Sequence, residues 1–312
     1  MADVASSAGP PLGKYLASSE KKTRDKAIKH LAAFLSDTEN VISKPDMDKL
    51  WKGIFYCFWM SDKPLVQQGL ASELAEMLLT ISDPAYSLAF LRGFWETITR
   101  EWNGIDRLRI DKYYMLIRRF VNATFRLLMR HGWDEKHLEE YNNILAKSGG
   151  PLCPNDTRIP ASLSYHIADI YPEELDKALG STPSPPPAPL ASLLDPFFSL
   201  AAQASTSVAY KRIQSALFDP VLNDLAPAGR SEGEEPKTKR IRLSTESSYP
   251  HIASNSCYSD PTTEGHVEGA VLKRKLLRRI FEIASQPDTR DSNRRKMYAL
   301  WKETYDEDLD AE

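Results

Sequence analysis

The sequence predicts an all-α protein: an irregular α-solenoid of stacked helical hairpins, HEAT-like or armadillo-like, with extended C-terminal helical segments. Three observations support this class. Apolar residues recur at helical spacing from about residue 20 to 147, helix-start signals interrupt them repeatedly, and strand-like alternation is nearly absent. No strict period repeats along the chain, so a compact helical bundle stays open as the alternative.

An N-terminal arm, 1–19, precedes a helical repeat domain over 20–179. Its first helix carries Ile28, Leu31 and Leu35, and its second starts near Pro45-Asp46 and presents Met47, Leu50, Trp51, Ile54, Phe55, Phe58 and Trp59. Ser61-Asp62-Lys63-Pro64 ends that helix and begins the next, because proline suits a first helical turn and breaks an interior one. The third helix carries Val66 to Ile81, and Ser82-Asp83-Pro84 caps a fourth bearing Leu88, Leu91, Phe94, Trp95 and Ile98. Asp106 is the expected cap of a long fifth helix that stops at His131-Gly132. A sixth holds Leu138 to Leu145, and a further helix runs from Pro160 to Leu179.

Beyond it, the composition predicts a stiff Pro-rich linker at 180–190, a helical pair at 191–225 and a disordered basic and Ser-rich linker at 226–269. A basic helical segment, 270–302, and an acidic tail, 303–312, complete the reading.

Bulk properties narrow the function classes. The 312 residues, 42% of them hydrophobic, can bury a core without disulfides or metal. Cys57, Cys153 and Cys257 form no CxxC pair, which predicts a reducing compartment and no local zinc site. The start has no signal-peptide pattern and the apolar run Ile54 to Met60 is too short to cross a bilayer, so an intracellular soluble protein is expected. No Walker-type loop, GxGxxG, HExxH or GxSxG occurs. The expectation is therefore no enzyme, no catalytic or metal residues, no cofactor and no small-molecule substrate. His166, with Asp169, Glu173 and Glu174 nearby in sequence, is the one candidate for special chemistry, although a histidine bonding a neighbouring loop is the preferred reading.

Basic residues suggest a polyanion partner. On the fifth helix Arg109, Lys112, Arg119, Arg126 and Arg130 fall on one stripe, as phosphate-contacting residues would, or as a solvated face paired with acids of a neighbouring helix. Between 270 and 302 there are ten Lys or Arg against three Asp or Glu. Lys273, Arg274, Lys275, Arg278 and Arg279 surround Leu272, Leu276 and Ile280, and Arg294, Arg295 and Lys296 follow. The adjacent basic cluster at 237–242 puts RNA ahead of a membrane surface as the expected ligand, with solvated charge or shielding by the acidic tail as the competing reading. Lys237, Lys239, Arg240 and Arg242 read as a nuclear-import cluster. Trp102, Asn103 and Arg107 belong to an inter-helix loop expected to contact protein, with Trp102 as a helix staple as the competing reading. The aromatics Trp51, Phe55, Tyr56, Phe58, Trp59, Trp95 and Trp133 are expected in the core.

Longer motifs carry a resemblance. MDKLWKGIFYCFWMSDKPLVQQGLASELAEML, FWETITREWNGIDRLRIDKYYMLIRRFVNATF, HIADIYPEELDKAL, LLDPFFSLAAQ and NRRKMYALWKE resemble the ribosomal RNA-processing protein 1 family, a nucleolar family. The similarity covers most of the chain outside the two linkers. It implies a non-catalytic nucleolar assembly factor of the large ribosomal subunit, acting on precursor ribosomal RNA within pre-ribosomal particles beside other assembly factors, including a Brix-domain protein and a WD-repeat protein. The family motifs supply no catalytic or metal residue to carry over, and the C-terminal extension is short beside those of the longer animal members. A helical-repeat nuclear transport or adaptor protein is the alternative.

Overall fold

The structure, a computed structural model, describes residues 12–37, 42–226 and 247–309, with side chains as far as Lys302. The chain divides into two units, Met1–Leu127 with Gly149–Pro151, and Leu128–Ser148 with Leu152–Glu312.

The first unit contains α1 (Leu12–Leu16), α2 (Lys21–Ser36), α3 (Lys44–Trp59), α4 (Pro64–Thr80), α5 (Pro84–Glu101) and most of α6 (Ile110–Arg130). Proline opens each of α3, α4 and α5, where a missing N–H costs nothing. The Ser43 hydroxyl caps α3 through the Asp46 N–H, and the Asp83 carboxylate caps α5 by accepting from Ala85 N at 2.9 Å. Helix α2 packs on α4 and α3 on α5, so successive helices alternate between layers, as in stacked helical hairpins.

Aromatic rings fill this core. Phe94 and Phe120 stack at 3.9 Å, and Trp51 lies 4.5 Å from Phe90 and 5.8 Å from Phe120. Gly93 makes room for the Trp51 indole, since a Cβ there would meet its ring at 2.2 Å. The expected N-terminal arm is in part structural: α1 buries Leu12 and Leu16 and crosses α3 where Gly13 meets Gly53, at which a Cβ on Gly53 would lie 2.7 Å from the Gly13 carbonyl.

The second unit comprises the end of α6, then α7 (Glu135–Ala146), α8 (Ala161–Leu179), α9 (Leu190–Gln203), α10 (Ser207–Ile213), α11 (Asp219–Asp224), α12 (Pro250–Ser254), α13 (Pro261–Glu264), α14 (Gly269–Ala284) and α15 (Asp291–Leu309). At the end of α6, Gly132 adopts φ of +66°, the left-handed stop expected there, and Trp133 follows with φ of +59°. Between α10 and α11 the residues Gln214–Phe218 widen into a π turn that ends two residues before Pro220, which cannot donate to the residue four back.

Two expectations change here. Residues 180–190 are no free linker: Ala188–Pro189 (β1) pairs in parallel with Ser256–Cys257 (β2), the Trp133 indole donates to the Pro186 carbonyl at 3.1 Å, and Asn255 Nδ2 donates to Pro185 O at 3.0 Å. Proline lacks an N–H but keeps its carbonyl, so a proline-rich stretch can still be held by donors from elsewhere. Within the stretch 226–269, read as disordered, residues 247–269 are ordered. The Asp176 carboxylate accepts from the N–H groups of His251 at 2.8 Å and Ile252 at 2.9 Å, and Ile252 and Cys257 are buried.

The segment 270–302 folds as a hairpin of α14 and α15. Leu272, Leu276, Leu277 and Ile280 turn inward, and Leu276 and Ile280 line a small cavity with Leu194, Phe198, Phe218 and Leu222. Among the described residues no helix is long and apolar enough to cross a membrane.

Candidate nucleic-acid interface

The α6 stripe is largely absorbed into the first unit. Lys112 is 6% exposed and gives its Nζ hydrogens to Trp59 O at 2.7 Å and Ser61 O at 2.8 Å, closing the C-terminal end of α3. Burial, and then the nearby Arg109 charge, pull its pKa down to about 8. Arg109 pairs with Asp106 and lies 4.7 Å above the Trp59 ring, and Arg126 pairs with Glu76, through Nη2 at 3.2 Å. Arg119 and Arg130 are exposed. Placing all five cations against phosphate is therefore corrected: on an amphipathic wheel, charge alone does not reveal that a main-chain acceptor 53 residues away claims the lysine.

In the loop before α6, Trp102 is buried and packs 5.6 Å from Tyr114, while Asn103 and Arg107 are exposed. Its burial against α6 fits the staple reading of Trp102. Leu108, which sequence reasoning passed over, is 92% exposed beside Arg107.

The C-terminal hairpin sorts its cations more clearly. Lys273 is buried, and Arg279 forks onto Asp195 with contacts of 2.9 and 3.2 Å. Arg294 ties the inter-helix turn together, donating to Ala284 O at 2.9 Å and to Gln286 O and Thr289 O at 3.0 and 3.1 Å. Lys275 pairs with Glu264 at 3.2 Å, and Lys296 lies 5.1 Å above the Tyr210 ring. Arg274, Arg278 and Arg295 remain outward, with the Arg278 side chain 81% exposed and joined only to Glu282, at 3.2 Å, among the described residues. Lys237, Lys239, Arg240 and Arg242 lie outside the described residues.

Sequence reasoning missed an aromatic group on this hairpin. Phe281 on α14 lies 5.1 Å from Tyr298 and 4.9 Å from Trp301 on α15, and Phe281 is 38% exposed. The available signal was spacing, since Phe281 stands three residues after Arg278, and Tyr298 and Trp301 stand three and six after Arg295.

A cavity of about 730 Å³ opens elsewhere in the second unit, lined by Asp134, Glu135, Glu139, Asn142, Asp195 and Asp260. Its wall is acidic, which disfavours a phosphate ligand there. His166 lies half-buried on α8, and the acids near it in sequence serve other cations: Asp169 pairs with Arg212 at 2.6 Å, and Glu173 and Glu174 with Lys177. Among the described residues no group of three or more His, Cys, Asp or Glu is placed to hold a metal ion.

Residues 7–301 match the family described as nucleolar protein, Nop52. The chain belongs to this family. It is 37% identical to a human protein named ribosomal RNA processing protein 1 homolog B over 232 residues, 72% of this chain and 29% of that protein. The human homolog A is 29% identical over 326 residues, 95% of this chain and 70% of its own length. A Dictyostelium discoideum homolog is 26% identical over 304 residues, covering 93% and 57%. The chain thus spans less than a third of the first of these relatives and 70% of the second. The family is nucleolar by description, which agrees with the resemblance drawn from the motifs.

Proposed function

We propose that this chain acts without catalysis as a nucleolar assembly factor of the large ribosomal subunit, supporting precursor ribosomal RNA processing by binding proteins and RNA within pre-ribosomal particles. The observation that carries this reading is the match to the nucleolar family over residues 7–301, whose relatives are named for ribosomal RNA processing. The distribution of groups supports it. Arg274, Arg278 and Arg295 face outward and can neutralise phosphates without reading sequence. Asn103, Arg107 and Leu108 offer an exposed corner of the first unit for protein contact, the role the resemblance gives to Brix-domain and WD-repeat partners. Import through Lys237, Lys239, Arg240 and Arg242 belongs to the same proposal.

Depletion of the protein from cells, with precursor ribosomal RNA probed and the wild-type chain re-expressed, tests it. Accumulation of large-subunit precursors that re-expression reverses is expected. Unchanged large-subunit precursors would contradict the proposal.

A further inference from the structure

We propose that Phe281, Tyr298 and Trp301 form a stacking platform for the bases of single-stranded RNA, with Arg274, Arg278, Arg295 and Lys302 holding its phosphates. The proposal rests on the RNA-binding reading above and adds the form of RNA and the mode of contact.

The three rings pack together where α14 meets α15, with Phe281 exposed and Tyr298 and Trp301 half-buried. Their planes are tilted by 40° between Phe281 and Tyr298 and by 48° between Phe281 and Trp301, so the group offers several ring faces instead of one closed stack. Leu276, Ile280, Met297 and Leu300 fill the fully buried side of the hairpin. Tyr298 is oriented by a 3.1 Å hydrogen bond between its hydroxyl and Ser285 Oγ.

Cations flank the rings on both helices. Arg274, Arg278 and Phe281 stand at i, i+4 and i+7 on α14, and Arg295, Tyr298 and Lys302 at i, i+3 and i+7 on α15, so each helix sets aromatic and basic groups on one face. Arg274, Arg278, Arg295 and Lys302 are all exposed. Rings between cations suit an unpaired strand: its bases can leave their neighbours and stack on a side chain, whereas duplex bases are already stacked and paired with one another.

The test uses the full chain and labelled oligouridylate, compared with an RNA duplex of equal charge, by fluorescence anisotropy over a salt series. Wild type is expected to bind the single strand more tightly. Phe281→Leu with Tyr298→Leu keeps apolar volume but removes the ring faces, and should weaken single-strand binding about tenfold while leaving duplex binding and the salt slope unchanged. Arg274→Gln with Arg278→Gln should weaken both and flatten the slope. A leucine variant that melts like wild type and binds oligouridylate equally well overturns the platform, while an effect of the arginine variant would keep the phosphate-contact reading alive. Loss of protein partners with unchanged RNA affinity would assign the rings to protein docking and also overturn it. Absence of all RNA binding by wild type would remove both readings.

Discussion

Lys112 donates from Nζ to the carbonyl oxygen of Trp59 at 2.7 Å, joining the start of α6 to the end of α3. A second donation, to Ser61 O at 2.8 Å, uses another of its hydrogens. Lys112→Met strands both carbonyls and should cost about 2–3 kcal/mol of stability, read as a lower denaturant midpoint, with RNA affinity unchanged. Loss of RNA affinity without loss of stability would return Lys112 to a phosphate-contacting role.

The same lysine gives a pH signature. Its folded pKa of about 8 lies below the ordinary 10.5, so between these values the unfolded chain binds more protons and stability rises with pH. The contribution is complete above 10.5 and is lost as pH falls through 8. Paired denaturation curves of wild type and Lys112→Met across this window should diverge as pH rises. Parallel curves would mean that the amine titrates normally.

Glu264 sets the opposite limit. Partial burial opposes its charge, but the N–H groups of Asp260 and Ser259, the Ser259 hydroxyl and Lys275 outweigh it and hold the carboxyl down to about 2. Its stabilisation is complete above the ordinary 4.5 and is lost as pH falls towards 2. Glu264→Gln should therefore be less stable than wild type at neutral pH, and the gap should close on acidification. A gap that stays constant from pH 5 to pH 2, roughly the span of the shift, would contradict the pairing.

Leu276 reports whether the C-terminal hairpin is core. It is 1% exposed and lines a small apolar cavity with Phe198, Phe218 and Leu222, so Leu276→Ala should cost about 2–5 kcal/mol in thermal or chemical denaturation. Arg274→Ala on the outer face should be neutral in the same assay. Equal tolerance at both positions would make the hairpin an appendage.

What the sequence revealed was what is local. Pro45, Pro64 and Pro84 marked three helix starts because proline acts on its own turn, and Gly132 marked a stop because its φ is positive. The packing of 180–190 was hidden, since the donors that hold it, from Trp133 and Asn255, lie more than 50 residues away. The aromatic platform is divided between two helices, and no single helical wheel shows it. The import cluster rests on composition alone, because it lies outside the described residues.

Affinity purification of the tagged chain from cells, with and without nuclease, followed by mass spectrometry and precursor-RNA probing, tests the central claim most directly. The account predicts recovery of large-subunit precursor RNA and assembly factors, with some protein partners surviving nuclease. Recovery of neither would contradict it.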